Sequence, residues 1–135
     1  MVSTPPEGEP QSIETKPSPR SVRDTVTRFE QIATSKGVEI FAVIDQQAEA
    51  QHVSLDLRET TLVIFGSPAA GTPIMDAVPF AALDLPLKIV VWSDDGHTMV
   101  SYTKPAALGA RYGLSDEQVR SLSGIDALTD ALVAE

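Results

Sequence analysis

The sequence predicts an α+β domain in which a mainly antiparallel sheet carries two long helices on one face. Three nearly continuous apolar runs, rich in β-branched and aromatic residues and bounded by turn residues, are typical of strands (38–44, 61–65 and 87–92). The pair Asp95-Gly96 then predicts a tight hairpin into a further strand over 98–103, because both positions tolerate positive φ. Together with this hairpin, the presence of only two long helical patterns favours a largely antiparallel sheet.

The first strand and the first helix are predicted from local signals. Residues 12–16 alternate between polar and apolar residues as a short strand does, and Pro17 and Pro19 are expected to end it. Ser21 opens a pattern that resembles a capping box, apolar residues follow at helical spacing, and a glycine stands at the far end. A helix is therefore predicted over 21–36.

The remaining segments complete the order β-α-β4-α. Residues 45–54 are polar, contain alanine and are a candidate short helix, whereas 66–86 form a long irregular excursion between two strands. Ser115 begins the second long helical pattern, which Gly124 is expected to interrupt locally.

Residues 1–10 are rich in Pro and Glu and have almost nothing to bury, so they predict a disordered tail that leaves 11–135 as a single domain. The chain does not begin with a basic segment followed by an apolar stretch, which disfavours a secretory signal. No run approaches the roughly 18 apolar residues that span a bilayer. We therefore expect a cytoplasmic protein without a membrane partner.

Composition excludes several classes of function. The 135 residues include 10 Lys+Arg and 19 Asp+Glu, and a net charge of −9 would repel the phosphates of a nucleic-acid partner. The absence of cysteine excludes disulfide scaffolds, Cys-based metal sites and thiol nucleophiles. His52 and His97 lie far apart in the sequence without metal-ligand spacing, so neither a metal nor another cofactor is expected.

The predicted strands do not alternate between apolar and polar residues, as a sheet with one wet face would. In the strand over 38–44, four apolar residues would line one face and two would line the other (Val38, Ile40, Ala42 and Ile44 against Phe41 and Val43). Two helices cover one face, so the second would be covered by the 66–86 excursion, by a partner subunit or by a ligand. We predict a homodimer, because a wet apolar sheet face invites association.

Three motifs resemble those of a known family. They are LVIFGSP over 62–68, GTPIM over 71–75 and ALDLP over 82–86. The family named domain of unknown function 302 has a similar apolar strand ending in Phe-Gly-Asn-Pro, a Gly-Thr pair with Met, and Ala-Leu-Asp-Leu-Pro. The resemblance covers about residues 12–134 and implies a TATA-box-binding-protein-like fold that is typically homodimeric. It implies no DNA binding, since one fold hosts unrelated functions.

Two positions depart from the family pattern. The family commonly has His where this chain has Gln46, and Asn where it has Ser67. If that His serves chemistry in relatives, Gln46 implies that the role is lost in this chain. Ser67 keeps a short oxygen that can cap a turn, so a structural role would survive.

Ser67 and Thr72 are the leading candidates for ligand binding. They lie in a stretch with two glycines and two prolines directly after a strand, where either could cap a short helix that begins with proline. Backbone N–H groups at such a helix start could hold an anion or another ligand. The alternative is a turn that only folds the excursion back over the sheet.

Asp84 and Asp45 are the other candidate site residues. Asp84 lies between apolar residues and could cap a turn through backbone N–H groups or act as a carboxylate with a raised pKa. Asp45 lies at a strand end, where site residues often lie, although an Asx turn explains it equally well. Phe65, Trp92 and Tyr102 are interpreted as core residues or, alternatively, as the lining of an apolar pocket.

The leading hypothesis is a cytoplasmic homodimer with a small-molecule-binding or assembly role, with an anionic ligand among the candidates. An alternative is a small enzyme that uses Asp45 or Asp84 as a general acid or base. A third is a purely structural dimerisation module. A pocket of a few hundred Å³ beside Ser67 would favour binding.

Overall fold

The computed structural model describes residues 11–135, so the predicted tail over 1–10 lies outside the described residues. The strands are β1 (Ile13–Ser18), β2 (Glu39–Asp45), β3 (Thr60–Gly66), β4 (Leu87–Asp94) and β5 (His97–Thr103). The helices are α1 (Val22–Ser35), α2 (Gln46–His52), α3 (Pro68–Ala77), α4 (Pro105–Tyr112), α5 (Asp116–Leu122) and α6 (Gly124–Val133), with a 3-10 helix over Pro79–Leu83. The predicted α+β class is confirmed, and each predicted strand is present.

The strands form one antiparallel sheet in the order β1-β5-β4-β3-β2. Asp95 and Gly96 join β4 to β5 with φ values of 52° and 86°, so the predicted hairpin turn is confirmed. β1 is an edge strand and continues through Pro17, which lies opposite Met99. The prediction that Pro17 ends this strand was wrong, because one side of an edge strand has no neighbour and needs no N–H group.

Helices α1 and α6 cover one face of the sheet, which we call the inner face. The Ser21 hydroxyl oxygen accepts a hydrogen bond from the N–H of Asp24, and the predicted helix over 21–36 is confirmed to within one residue at each end. Phe29 of α1 is fully buried and packs edge-to-face on Phe65 of β3, with 4.9 Å between ring centroids. The main core also contains residues from α6 and the other strands, among them Val63, Ile89, Val100, Ile125 and Leu132.

The C-terminal helical segment consists of two helices instead of the single long helix that was predicted. Ser115 and Gln118 form a reciprocal capping box at the start of α5, and the predicted interruption at Gly124 is a complete break between α5 and α6. The break allows Leu122 to pack in a small second core while Ile125 packs in the main core.

The second core lies among α3, the 3-10 helix, α4 and α5, and contains Ile74, Ala81, Leu85, Leu108 and Leu122. Helix α4 was not predicted. It approaches α5 closely at Gly109, where an added Cβ would lie 2.5 Å from Cγ2 of Val119. The buried residues of the 66–86 excursion are used in this core, so the alternative in which the excursion covers the second sheet face was wrong.

A β-bulge in β2 changes which residues share a face. Ile40 lies opposite Phe65, but Ala42 lies opposite Ile64, so Phe41 is the extra residue in the bulge. The prediction that residues 38, 40, 42 and 44 line one face was therefore wrong. Beyond the bulge, Ala42 and Ile44 lie on the outer face, while Val43 lies opposite Val63 on the inner face.

The outer face of the sheet is largely apolar, as predicted, although Lys88 and Ser101 also lie on it. Its apolar residues are only half-buried: Ala42, Ile44, Leu62, Ile64, Val90, Trp92 and Met99. Scattered apolar residues on a surface need no explanation, but a contiguous patch of this kind is typical of an interaction surface.

Candidate functional site

A cavity of about 360 Å³, which we call the β3–α3 cavity, opens to solvent where β3 passes into α3. One wall comes from β3 and α3 and includes Phe65, Gly66, Gly71 and Met75. Further walls come from residues 85–87, which lie beside the end of β3, and from the junction of α5 with α6, including Leu122. Its volume lies within the range of small-molecule pockets.

The turn between β3 and α3 shapes the rim of this cavity. Ser67 occupies the N-cap position of α3 with extended backbone, and Pro68 is the first helical residue, a position that proline favours. Gly71 follows one turn later. A Cβ at Gly71 would meet only the terminal methyl carbon of Met75, at 3.7 Å, so a longer side chain at this position would enter the cavity.

The structure brings two of the four predicted site residues together, since Ser67 and Thr72 both line the cavity and are both exposed. Neither caps a helix through its side chain. The Ser67 hydroxyl makes no capping hydrogen bond, and Thr72 lies inside α3 instead of at its start. The predicted capping role was therefore wrong for both side chains. Capping does not explain why this chain has Ser67 where the family has asparagine.

Asp84 lies outside the cavity and binds side chains of α4. Its carboxylate accepts hydrogen bonds from the hydroxyl of Tyr112 and, at 2.8 Å, from the guanidinium of Arg111. The bond from Tyr112, supported by the one from Arg111, holds the pKa of Asp84 below its usual value in spite of partial desolvation. A general acid at neutral pH needs a raised pKa, so this geometry does not favour the enzyme hypothesis for Asp84.

The segment after Asp84 is held by a second set of bonds. The Nζ of Lys88 donates to the carbonyl of Asp84 at 3.4 Å and to that of Pro86 at 3.1 Å. Residues 85–87 form one wall of the β3–α3 cavity. Asp84 therefore fixes the position of a wall, through side chains of α4, and does not bind a turn through backbone N–H groups as was predicted.

Asp45 lies away from the β3–α3 cavity. Its carboxylate caps α2 by accepting a hydrogen bond from the N–H of Ala48 at 3.0 Å, which agrees with the structural interpretation of this residue. It also lines a second cavity of about 410 Å³ on the inner face, together with Arg23 and Glu59. Gln46, the family's histidine position, is the exposed first residue of α2.

The histidines form no metal site within residues 11–135, where no group of three His, Asp or Glu side chains has suitable geometry. His52 is exposed and lies 3.5 Å from the carboxylate of Glu49, and His97 is also exposed.

Sequence reasoning missed several cavity residues. Met75, Ser121 and Leu122 line it but lie on two distant stretches of the sequence, and only the helical periodicity around Leu122 gave any signal. Phe65, one of the aromatic candidates, lines the cavity while it is also part of the main core. Trp92 and Tyr102 are not among the lining residues.

Comparison with known proteins assigns the family. A family model described as "Domain of unknown function DUF302" matches residues 14–132. This chain belongs to the DUF302 family. The match spans the sheet, the β3–α3 cavity and Asp84, and it confirms the resemblance that three short motifs indicated.

A solved DUF302 structure shares the fold. The uncharacterized conserved protein DUF302 from Bacillus stearothermophilus superimposes with a TM-score of 0.76, covering 90% of this chain and 94% of that chain at 17% sequence identity. At this level of identity the similarity establishes the fold alone.

Two curated relatives are named as ion channels. The fluoride-specific ion channel FluC 1 of Brucella suis is 34% identical over 109 residues, which is 78% of this chain and 43% of that protein. The protein of the same name from Brucella abortus is also 34% identical over 109 residues, which is 40% of its length. The DUF302 chain thus spans about two fifths of these relatives. Within residues 11–135, no helix has the length and apolar character to cross a membrane.

Proposed function

We propose that this DUF302 chain is a homodimeric domain that binds a small molecule in the β3–α3 cavity. The observation that carries the proposal is a cavity of about 360 Å³ with largely apolar walls, whose rim carries the exposed hydroxyl groups of Ser67 and Thr72. Apolar walls with a few polar groups are the usual composition of a ligand site. The sequence alone predicts the same two residues as candidates for ligand binding.

Dimerisation is proposed to use the outer face of the sheet. Half-buried apolar residues of β2, β3, β4 and β5 lie side by side there, while α1 and α6 occupy the opposite face. Pairing two such faces would remove apolar surface from water, and each Å² of apolar surface buried would stabilise the dimer by about 25 cal/mol. Under the alternative hypothesis of a purely structural dimerisation module, the same interface would form but no ligand would bind.

Native mass spectrometry of freshly purified protein tests both parts of the proposal. We expect a dimer that carries an additional, non-covalently bound mass. A Gly71→Leu variant should place a side chain inside the cavity and lose that mass. Ala69→Leu, an exposed position of the same helix that does not line the cavity, should keep it. Retention of the same mass by Gly71→Leu would refute binding in this cavity, and a monomer at micromolar concentration would refute the dimer.

A second candidate function is an accessory domain of a membrane channel, and the match to the Brucella relatives favours it. The matched region is about two fifths of those proteins, and the fold described over 11–135 contains no membrane-crossing helix. A relative with this fold would have to form its channel from the remaining three fifths. The chain would then act beside a channel and would not conduct ions itself.

Fluoride efflux from lipid vesicles tests the second candidate. The Brucella suis relative would be compared with a form that lacks the matched region, with this chain supplied as a separate protein. Restoration of the efflux rate by this chain would support the accessory role. Equal rates for the full-length and shortened relative, unaffected by this chain, would contradict it.

We propose the cytoplasm as the location, and the cysteine-free composition is compatible with a reducing compartment. Fluorescence microscopy of the tagged chain in its host would test it, and a signal confined to the envelope would contradict it.

A further inference from the structure

The chemistry of the β3–α3 cavity restricts the charge of its ligand, if the proposed binding function holds. None of the described residues that line the cavity has an ionisable side chain. The polar side chains among them are the hydroxyl groups of Ser67, Thr72 and Ser121, and the Ser121 hydroxyl donates to the carbonyl of Gln118 at 2.7 Å. A charged ligand would therefore find no side chain of opposite charge in the walls.

The start of α3 does not supply the missing charge. Pro68 has no N–H group, and the N–H groups of Ala70 and Gly71 both donate to the carbonyl of Ser67, at 3.0 and 2.9 Å. In the first turn of this helix the N–H group of Ala69 is then left for an anion, and a single group equips it poorly to bind one, although helix starts often do so. The anionic ligand considered from the sequence depended on these N–H groups.

The charged residues beside the cavity wall already have partners. The carboxylate of Asp84 binds Tyr112 and Arg111, and the Nζ of Lys88 binds two backbone carbonyls. Recruiting either group to a ligand would break the bonds that hold residues 84–88 in place. An ionic group at the rim would thus lose part of its hydration without gaining a counter-charge, which is costly beside apolar walls.

We propose that the β3–α3 cavity binds an uncharged, largely apolar molecule with one hydroxyl or carbonyl group placed at the rim near Ser67 and Thr72. At about 30 Å³ for each non-hydrogen atom, the volume that a water molecule occupies in the liquid, the cavity holds roughly a dozen such atoms. A medium-length alkyl alcohol fits both the size and the polarity.

A matched series of ten-carbon ligands tests the inference at pH 7.5: decan-1-ol, decanoate and decylammonium. Binding to the full chain would be measured by isothermal titration calorimetry, below the concentration at which each compound aggregates. We expect decan-1-ol to bind about 100-fold more tightly than either ion, because only the ions must lose hydration without compensation. Gly71→Leu should weaken decan-1-ol binding at least about tenfold, and Ala69→Leu should leave it unchanged.

The other outcomes separate the ligand class from the existence of the site. If decanoate or decylammonium bound as tightly as decan-1-ol, and Gly71→Leu abolished that binding, the uncharged class would be refuted while binding in the cavity stood. If none of the three compounds bound, both the class and the binding proposal would be refuted. If decan-1-ol bound equally well to Gly71→Leu, the site would lie elsewhere.

Discussion

Gly109 allows α4 to approach α5 closely, and the distance between the two helices allows us to predict the effect of a larger side chain at this position. An added Cβ would lie 2.5 Å from Cγ2 of Val119, so either the Val119 side chain or one of the two helices would have to shift. Overpacking of this kind costs about 1–3 kcal/mol, whereas alanine is better than glycine inside a helix by about 1 kcal/mol. The difference leaves a net loss of up to about 2 kcal/mol in the free energy of unfolding for Gly109→Ala.

Urea unfolding followed by circular dichroism measures this change. With an m value of about 2 kcal/mol per M, the midpoint should fall by up to about 1 M. The matched control is Gly124→Ala, because an added Cβ there has open space around it, and we expect it to raise stability by about 0.5–1 kcal/mol.

A second variant tests the cause of the predicted loss. Val119→Ala removes the methyl group that the new Cβ would strike, so in that background Gly109→Ala should cost nothing or stabilise the chain. Equal destabilisation by Gly109→Ala with and without Val119→Ala would refute the reasoning. A higher midpoint for the Gly109→Ala single variant would also refute it.

Three further predictions concern the core, the wall of the cavity and the outer face. Phe29→Ala should lower the free energy of unfolding by about 3–5 kcal/mol in a urea titration, and a loss below 1 kcal/mol would contradict its place in the core. Asp84→Asn should lower the urea midpoint at pH 7. Because the pKa of Asp84 is lower in the folded chain, its stabilisation is complete above the ordinary pKa of Asp, about 3.9, and is lost as pH falls through the lowered pKa. A difference between wild type and variant that persisted unchanged at pH 2 would show that the carboxylate charge is not its cause. Ile64→Lys should weaken the proposed dimer about 100-fold in analytical ultracentrifugation, since two copies of the residue lose their burial, and an unchanged dimer would place the interface elsewhere.

Local signals in the sequence were sufficient for much of the fold. Ser21 and its partner Asp24 lie three residues apart, so the start of α1 could be located to within one residue. The Asp95-Gly96 turn was equally evident, because its backbone conformation depends on those two residues. The placement of helices on one face of the sheet was also predicted, from the helical spacing of apolar residues and the antiparallel hairpin.

Other parts of the fold depend on contacts that no local pattern encodes. The bulge at Phe41 shifts the register of β2 by one residue, and a continuous apolar run contains no sign of that shift. Helix α4 was missed because Pro105, Gly109 and Gly113 are residues that usually mark turns. In the structure Pro105 begins the helix, Gly109 permits a close contact and Gly113 ends it in a left-handed conformation.

The candidate site was predictable only in part. Ser67 and Thr72 belong to one short segment, and they do line the cavity. Other lining residues come from 85–87 and from the junction of α5 with α6, and that junction lies more than forty positions later in the sequence. The partners of Asp84 lie on α4. Long-range packing decides both arrangements, so Asp84 could not be recognised in advance as a residue that fixes a wall.

The methyl signals of methionine offer the most direct test of the central claim, which is binding in the β3–α3 cavity. Two of the three methionines of the chain report on different surfaces, since Met75 lines the cavity and Met99 lies on the outer face of the sheet. In a ¹³C-methyl NMR titration with decan-1-ol, we expect the Met75 signal to shift in a saturable manner while the Met99 signal stays in place. A Met75 signal that does not move, or a Met99 signal that shifts instead, would contradict the claim.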